Sequence, residues 1–291
     1  MRMSLGVARA NRSRKSQKLL SPGSRNARIL AVAAQKGGVG KTTTAVSIAS
    51  AWSRLHGLHV LVVDLDPQAN VSISVRSQIL ANRGGGALSD VLENEKRLEV
   101  AEIAAETKVD GFHVTPMDPG LQHFEDRMVS RIGKELILRK ALEVTRTHYD
   151  AIVIDCPPHI GGLTVNALVA ADQVLVPTSL AALSVSGVTG LLEAADEVQS
   201  TLNPQLEVAG VLLTRVDGRS TRVNASVLDM LEDSFGALVL PQHIGVDNAL
   251  ARAQLAGEDI FEFAPSSRAA GWYGDLATQL ADTLGLPGRV T

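Results

Sequence analysis

The sequence predicts an α/β fold, with a doubly wound, mostly parallel sheet and helices on both of its faces. Aliphatic runs of strand length recur along the chain, as in residues 59–66 and 151–156, and helical stretches separate them. Strands that are apolar without alternation are typical of a parallel sheet covered on both faces. The chain has 291 residues, of which 45% are hydrophobic and only 3% aromatic, so we expect a sizeable aliphatic core.

The elements are expected in a strand–helix alternation with no internal repeat and no linker inside the body. Gly57 should end the first helix, because glycine readily takes the left-handed conformation of a helix C-cap. Loop signals stand at 83–87 and 118–120. Strands are predicted over 29–35, 59–66, 111–116, 151–156, 173–178, 208–216 and near 237–241, and helices over 42–57, 86–105, 135–148, 187–200 and 268–285.

Charge divides the chain into two parts, for which we predict a basic N-terminal arm over 1–27 and a single domain over 28–291. Residues 1–28 contain eight basic residues and no acidic one, whereas the rest of the chain has 20 basic and 31 acidic residues. The arm is either a solvated tail or a segment that contacts polyanions.

Cysteine content and hydropathy exclude several classes of protein. The single cysteine, Cys156, allows neither a disulfide framework nor zinc-finger spacing. No apolar run is as long as a membrane span, and the N-terminus has no apolar segment typical of a signal peptide. We therefore expect a cytoplasmic protein that does not bind membranes.

The stretch AAQKGGVGKTTT, residues 33–44, is typical of a phosphate-binding loop. It lies between a predicted strand and a predicted helix, so backbone N–H groups and the helix N-terminus can face phosphate oxygens. Lys41 would neutralise the β- and γ-phosphates and Thr42 would bind Mg²⁺. Gln35 stands where the usual pattern has glycine, and a second lysine, Lys36, follows it.

Three aspartates follow strands and are candidates to support Mg²⁺, which needs nearby carboxylates. Asp64 and Asp66 end the strand VVDLD, and Asp155 ends IVID. Ligands of open α/β sheets bind at the carboxyl ends of strands, so these side chains should meet beside the loop.

Together these motifs resemble those of ParA/Soj-type ATPases, the group that includes MinD and the nitrogenase iron protein. KGGVGKTTT, VDLDPQAN and IVIDCPP are similar to its deviant Walker A, Walker A′ and Walker B motifs. The resemblance extends over about residues 28–285, through VLVPT, GVLLTRVDGR and APSSRAAGWYGDLA. The ending DPQAN and the late SRAAGWY favour ParA over MinD.

This resemblance implies ATP and Mg²⁺ as cofactors, and it implies a role for each lysine. Lys36 would reach the ATP of the partner in a nucleotide-sandwich homodimer, while Lys41 serves its own subunit. Asp66 would orient the attacking water, and the metal site would comprise Thr42, Asp64 and Asp155. The predicted nucleotide-binding residues are Lys36, Gly37, Gly38, Val39, Gly40, Lys41, Thr42 and Thr43 and, at the adenine, Arg215, Pro241 and His243.

The resemblance also implies non-specific DNA binding and a ParB-like or other cargo adaptor, with an ATPase that is weak until the partner stimulates it. Gln242 and Gly245, however, stand where relatives carry arginine, and residues 177–187 depart from the relatives' sequence. A nucleoid-associated protein would then bind DNA through Arg219 and Arg222 in the body and through the arm residues Arg9, Arg12, Arg14, Lys15 and Lys18.

Chromosome or plasmid partition is therefore the leading functional hypothesis, with positioning of a protein cargo by an orphan relative as the alternative. A MinD-like membrane switch would need a basic amphipathic C-terminal helix, and the chain ends in GDLATQLADTLGLPGRVT. An iron–sulfur reductase would need more cysteines. A metabolic enzyme such as a dethiobiotin-synthetase relative is disfavoured by Lys36 and the A′ motif.

Overall fold

An eight-stranded sheet forms the centre of the molecule in the computed structural model, which describes residues 23–80, 86–93, 98–180, 184–217 and 221–287, without the side chains of 184 and 221–224. The strand order is β3-β4-β2-β5-β1-β6-β7-β8, and all neighbours are parallel except the pair β3 and β4. The strands are β1 (Arg28–Val32), β2 (Val60–Asp64), β3 (Ala105–Glu106), β4 (Phe112–Val114), β5 (Ala151–Asp155), β6 (Gln173–Ser179), β7 (Glu207–Val216) and β8 (Val239–Gly245).

Helices cover both faces of the sheet, as predicted. Alternate residues of one strand serve opposite faces: Leu30 and Val32 pack in one core cluster, and Ile29 and Ala31 pack in the other. The helices are α1 (Lys41–His56), α2 (Asn70–Ser74), α3 (Leu88–Glu93), α4 (Val100–Ile103), α5 (Gly120–Met128), α6 (Ile137–Ala141), α7 (Gly162–Ala170), α8 (Ser184–Thr201), α9 (Thr221–Phe235), α10 (Asn248–Ala256), α11 (Ile260–Phe263) and α12 (Arg268–Leu284).

The first and last predicted helices, α1 and α12, lie together and close one face of the sheet. Gly57 caps α1 in the left-handed conformation, as predicted, with its N–H bonded to Ser53 O. The indole of Trp52 donates to Ala277 O at 2.7 Å, and Thr44 Oγ1 lies 3.2 Å from the hydroxyl of Tyr273. These contacts fix the helix that follows the phosphate loop against the core.

Two predicted helices are wrong as single elements. The segment 86–105 contains α3 and α4, and α4 begins anew at the capping box of Glu99 and Glu102. The segment 135–148 divides into α6 between two 3₁₀ turns, at 134–136 and 145–147. Local caps interrupt the apolar periodicity in the first segment, because each cap satisfies backbone N–H groups that a continuous helix would bond internally.

The described chain begins against the body. Gly23 N donates to Thr147 Oγ1 at 2.7 Å, and Arg25 forms an ion pair with Asp150 at 3.1 Å. Arg28 pairs with Asp172 at 3.3 Å. Two of the eight basic residues of 1–28 are thus paired with body carboxylates, and the remaining six lie in residues 1–22, outside the described residues.

Candidate active site

The loop between β1 and α1 has the backbone that a phosphate site requires. Gly38 and Gly40 have φ angles of 75° and 84°, and Gly40 is the N-cap of α1. Residues that carry a Cβ rarely adopt these backbone angles, so glycine is needed at both positions. A Cβ built on Gly37, Gly38 or Gly40 would lie within 4 Å of no atom of the described residues, which leave this side of the loop open.

The two lysines of the loop occupy different environments. Lys41 is only 7% exposed, and its Nζ donates to the backbone oxygen of Lys36 at 3.2 Å. Burial lowers the pKa of Lys41, while the negative charges of Asp155 and Asp66 oppose that shift. The side chain of Lys36 is exposed. One ammonium therefore lies inside the site and the other faces outward. Thr43 lies half-buried in the first turn of α1.

Asp64 and Asp155 lie side by side, because β2 and β5 pair in parallel with these residues in register. Thr42 Oγ1 donates to Asp155 Oδ2 at 2.6 Å, which joins the three predicted metal-site residues into one group. Asp155 is fully buried, and its Oδ1 has no hydrogen-bond partner among the described residues. A buried carboxylate oxygen without a partner is costly unless a cation or water binds there, so this group fits Mg²⁺.

Burial dominates the electrostatics of this pair. It raises the pKa of Asp155 to about 7, an effect that Asp66 increases and that Thr42 and Lys41 oppose. Burial and the neighbouring Asp155 also raise the pKa of Asp64. A divalent cation would reverse this effect, because a nearby positive charge favours both ionised carboxylates.

Both carboxylate oxygens of Asp64 accept backbone N–H groups of the A′ motif or of the residue that follows it. Oδ1 accepts the N–H of Asp66 at 3.0 Å, and Oδ2 accepts the N–H of Val71 at 3.1 Å. Asp66 is 7% exposed, and its Oδ1 accepts the N–H of Gln68 at 3.0 Å. Ala69 has a left-handed φ of 55°, a strained conformation of the kind that concentrates at functional sites.

The opposite side of the loop is held by β7. Thr214 Oγ1 donates to Val39 O at 2.7 Å, a contact that motif reasoning did not identify. Arg215, predicted at the adenine, donates from Nη1 to Gly38 O at 3.0 Å. Its φ of 54° is again left-handed for a non-glycine residue. The structure thus places Arg215 on the loop backbone.

A cavity of about 530 Å³ adjoins this side of the site. His243, predicted at the adenine, lines this cavity, whereas Pro241, predicted there too, is exposed and is not among the lining residues; their contact with adenine stays a prediction. Arg268 lies over the ring of Trp272 at 5.5 Å from its centroid. The further lining residues are Val216, Asp217, Gly245, Val246, Asp247 and Asn248.

Gly245 and Trp272 fit closely together in this wall. A Cβ built on Gly245 would lie 2.5 Å from Cη2 of Trp272, so no larger residue fits there beside the indole. An arginine at position 245, which the resemblance to ParA-type ATPases implies, would therefore have to displace the indole. The residues predicted to bind DNA cannot be compared with this wall: Arg219 and the arm residues between 9 and 18 lie outside the described residues, as does the side chain of Arg222.

The buried carboxylate gives a pH-dependent prediction for Asp155→Asn. Without metal, the pKa of Asp155 is about 7 when folded, against an ordinary 3.8, so the folded state holds the proton more tightly. Stability of the wild type should therefore fall as the pH rises from about 4 to about 7. We expect the melting temperature of Asp155→Asn, relative to wild type, to rise by about 2–4 °C or more between pH 5 and pH 8.

The measurement is thermal denaturation in a chelator without nucleotide. Mg²⁺-dependent ATP turnover by Asp155→Asn should be lost in parallel. A difference in melting temperature that does not change with pH would contradict the assigned ionisation of Asp155.

Comparison with known proteins identifies the family. A family model described as "AAA domain" matches residues 27–208. The chain is 35% identical over 254 residues to the sporulation initiation inhibitor protein Soj of Bacillus subtilis, covering 87% of this chain and 98% of that protein. It is 38% identical over 253 residues to the chromosome-partitioning ATPase Soj of Thermus thermophilus, covering 87% and 95%.

A similar solved structure, named as a different enzyme, has nucleotide and magnesium bound. It is cobyrinic acid a,c-diamide synthase from Mycobacterium smegmatis with bound ADP and magnesium, with a TM-score of 0.74, 32% identity and coverage of 91% of this chain and 100% of that chain. With the loop, the buried lysine and the paired carboxylates in place, the chain belongs to the ParA/Soj-type ATPases of the MinD/ParA superfamily, which hydrolyse ATP with Mg²⁺.

Proposed function

We propose that the ATP-bound chain forms a homodimer that binds non-specific DNA and positions a chromosome, plasmid or other large cargo in the cytoplasm, on the nucleoid. A ParB-like adaptor would stimulate hydrolysis and so release the dimer. The name of the Thermus thermophilus relative, a chromosome-partitioning ATPase, supports this role.

The observation that carries this proposal is the difference in burial between the two lysines of the loop. Lys41 is already buried beside Asp155 and Asp66, where it can neutralise phosphate charge in its own subunit. Lys36 is exposed at the open end of the same loop, so its ammonium is available to a second subunit. A charge supplied across an interface acts only in the dimer, which couples nucleotide state to association.

The first test of the proposal is Lys36→Ala. We expect this variant to bind ATP as the wild type does and to lose ATP-dependent dimerisation. The reason is that the exposed side chain serves the partner's nucleotide. Size-exclusion chromatography with a non-hydrolysable ATP analogue, beside titration with a fluorescent analogue, measures the two properties separately. If Lys36→Ala dimerises as the wild type does, Lys36 does not act on the nucleotide of the partner subunit.

DNA binding is assigned mainly to residues 1–22. They contain Arg2, Arg9, Arg12, Arg14, Lys15 and Lys18 and no acidic residue. The next two arginines, Arg25 and Arg28, are paired with carboxylates of the body. Dimerisation would bring two arms to one DNA molecule, and two weak attachments bind far more tightly than one.

Deleting residues 1–22 should therefore weaken DNA binding and leave basal ATP turnover intact. Each phosphate contact that is lost should lower the salt slope of log affinity by about 0.9. This truncation keeps the contacts of Gly23 and Arg25 with the body. Mobility-shift assays across a salt series would measure the DNA affinity and its salt slope. If the slope is unchanged, residues 1–22 do not contact DNA, and Arg219 and Arg222 become the proposed DNA contacts.

The competing function is a metabolic synthase, as the name of the Mycobacterium smegmatis relative suggests. An amide synthase that takes nitrogen from glutamine would need a reactive thiolate. The single cysteine of the chain, Cys156, is fully buried, and burial raises the pKa of its thiol. Rapid ATP turnover without DNA or a protein partner would favour the synthase.

In the described ranges, no helix is long and apolar enough to cross a bilayer.

Within the proposed function, the neighbouring genes would distinguish a DNA cargo from a protein cargo, because a ParB-like neighbour favours DNA segregation.

A further inference from the structure

We propose that Gln35 is a positioning residue that holds the Lys36 end of the loop against α8, so that α8 sets the placement of Lys36. This inference rests on the proposed function, since it assumes that Lys36 acts across a dimer. It goes beyond that function by naming the element of the same subunit that controls Lys36.

The carboxamide of Gln35 lies directly over Gly190 of α8. A Cβ built on Gly190 would stand 2.9 Å from Gln35 Oε1, 3.7 Å from its Cδ and 3.9 Å from its Nε2. The first distance is shorter than a van der Waals contact, so the Gln35 side chain occupies the space that a side chain at position 190 would need. Gln35 and Gly190 are therefore coupled by packing.

A second glycine on the same face of α8 strengthens the argument. Gly187 precedes Gly190 by three residues, and residues with this spacing lie on one face of a helix. Together with Lys36 and Val39, Gly187 lines a small cavity of about 20 Å³ between α8 and the loop. Of the two glycines, Gly190 is therefore the one at which α8 approaches the beginning of the loop closely, whereas Gly187 borders open space.

The two halves of the loop are held by different elements. Thr214 and Arg215 of β7 bind the backbone oxygens of Val39 and Gly38, in the half that leads to Lys41. Gln35 and Lys36 lie in the other half, beside α8. A displacement of α8 should therefore move Lys36 more than Lys41, because β7 holds the half of the loop that leads to Lys41, although Lys41 Nζ also bonds to Lys36 O at 3.2 Å.

A matched pair of substitutions in α8 tests the coupling. Gly190→Ala and Gly187→Ala both replace a helical glycine and raise helix propensity equally. Only the first meets Gln35, because a Cβ at position 187 would lie within 4 Å of no atom of the described residues. We expect Gly190→Ala to push the Gln35 carboxamide aside and so to weaken dimerisation with a non-hydrolysable ATP analogue by about fivefold, less than overpacking of a core contact would cost because Gln35 is exposed. Gly187→Ala should stay within roughly twofold of the wild type.

A double substitution shows whether Gln35 carries the effect. Gln35→Ala alone should weaken the dimer, because the loop end loses its contact with α8. Adding Gly190→Ala to Gln35→Ala should cost nothing more, because the displaced carboxamide is gone, so the two changes are non-additive. ATP affinity of the monomer, measured with a fluorescent analogue, should remain that of the wild type in all four variants.

Each failure has its own signature. If Lys36→Ala still dimerises, the proposed role of Lys36 is wrong. If Lys36→Ala fails to dimerise while Gly190→Ala behaves like Gly187→Ala, or if the two changes at 35 and 190 are additive, the positioning role of Gln35 is overturned and the proposed function stands. Loss of ATP affinity in Gly190→Ala would also overturn it, since the Lys41 half of the loop would then have moved.

Discussion

Lys41→Ala should abolish useful ATP binding. The ammonium of Lys41 is buried in the loop, near the carboxylates of Asp155 and Asp66. Its removal takes away the cation that would face the β- and γ-phosphates and leaves those carboxylates to repel them. We expect ATP affinity to fall about 100-fold or more, since a lost charge-assisted contact costs up to about 3 kcal/mol.

Lys36→Ala is the matched control for this loss, because it removes the same charge five residues earlier, at an exposed position of the same loop. Equilibrium titration with a fluorescent ATP analogue compares the two, and thermal denaturation confirms that both fold. Equal affinity of Lys41→Ala and the wild type would refute the assignment of the loop.

Asp66→Ala should trap the ATP-bound dimer. Asp66 follows the strand that supplies Asp64, and its carboxylate lies within the electrostatic reach of Lys41 and Asp155. As the group assigned to orient the attacking water, it should contribute about 10²–10⁴-fold to hydrolysis. Both lysines and the metal-site residues remain in the variant, so binding and dimerisation should persist while turnover stops.

Asp66→Asn separates this role from a structural one. Its amide oxygen can still accept the N–H of Gln68, which Asp66 Oδ1 accepts in the structure. Both variants should therefore lose steady-state phosphate release and accumulate as dimers with ATP. If Asp66→Asn hydrolyses ATP normally, Asp66 only shapes the turn, and another group positions the water.

The sheet was predictable because its strands are continuous aliphatic runs. β2 and β5 are buried at every residue, and such runs have no other stable position than the middle of a covered sheet. The helices of 86–105 and 135–148 were predicted less well. Their apolar spacing suits one long helix, but caps such as Glu99 with Glu102 start a new one, and composition alone does not show which interaction prevails.

The site, too, has a part that was predictable from the sequence and a part that was not. The loop, Asp64 and Asp155 lie in short contiguous motifs, and their meeting follows from parallel strands whose carboxyl ends share one edge. Thr214, Gly190 and Trp272 act on the site from distant parts of the chain. Their side chains matter through single contacts of tertiary packing, which no local pattern of residues encodes.

The fit between Gly245 and Trp272 restricts the order in which this protein could change. The resemblance to ParA-type ATPases places arginine at the position of Gly245, but here even a Cβ would lie 2.5 Å from the indole. Gly245→Arg alone would therefore have to displace the indole, the group that a Cβ at this position meets first. We expect the two positions to be constrained together, so that an arginine at 245 is compatible with this wall only after a smaller side chain has replaced Trp272.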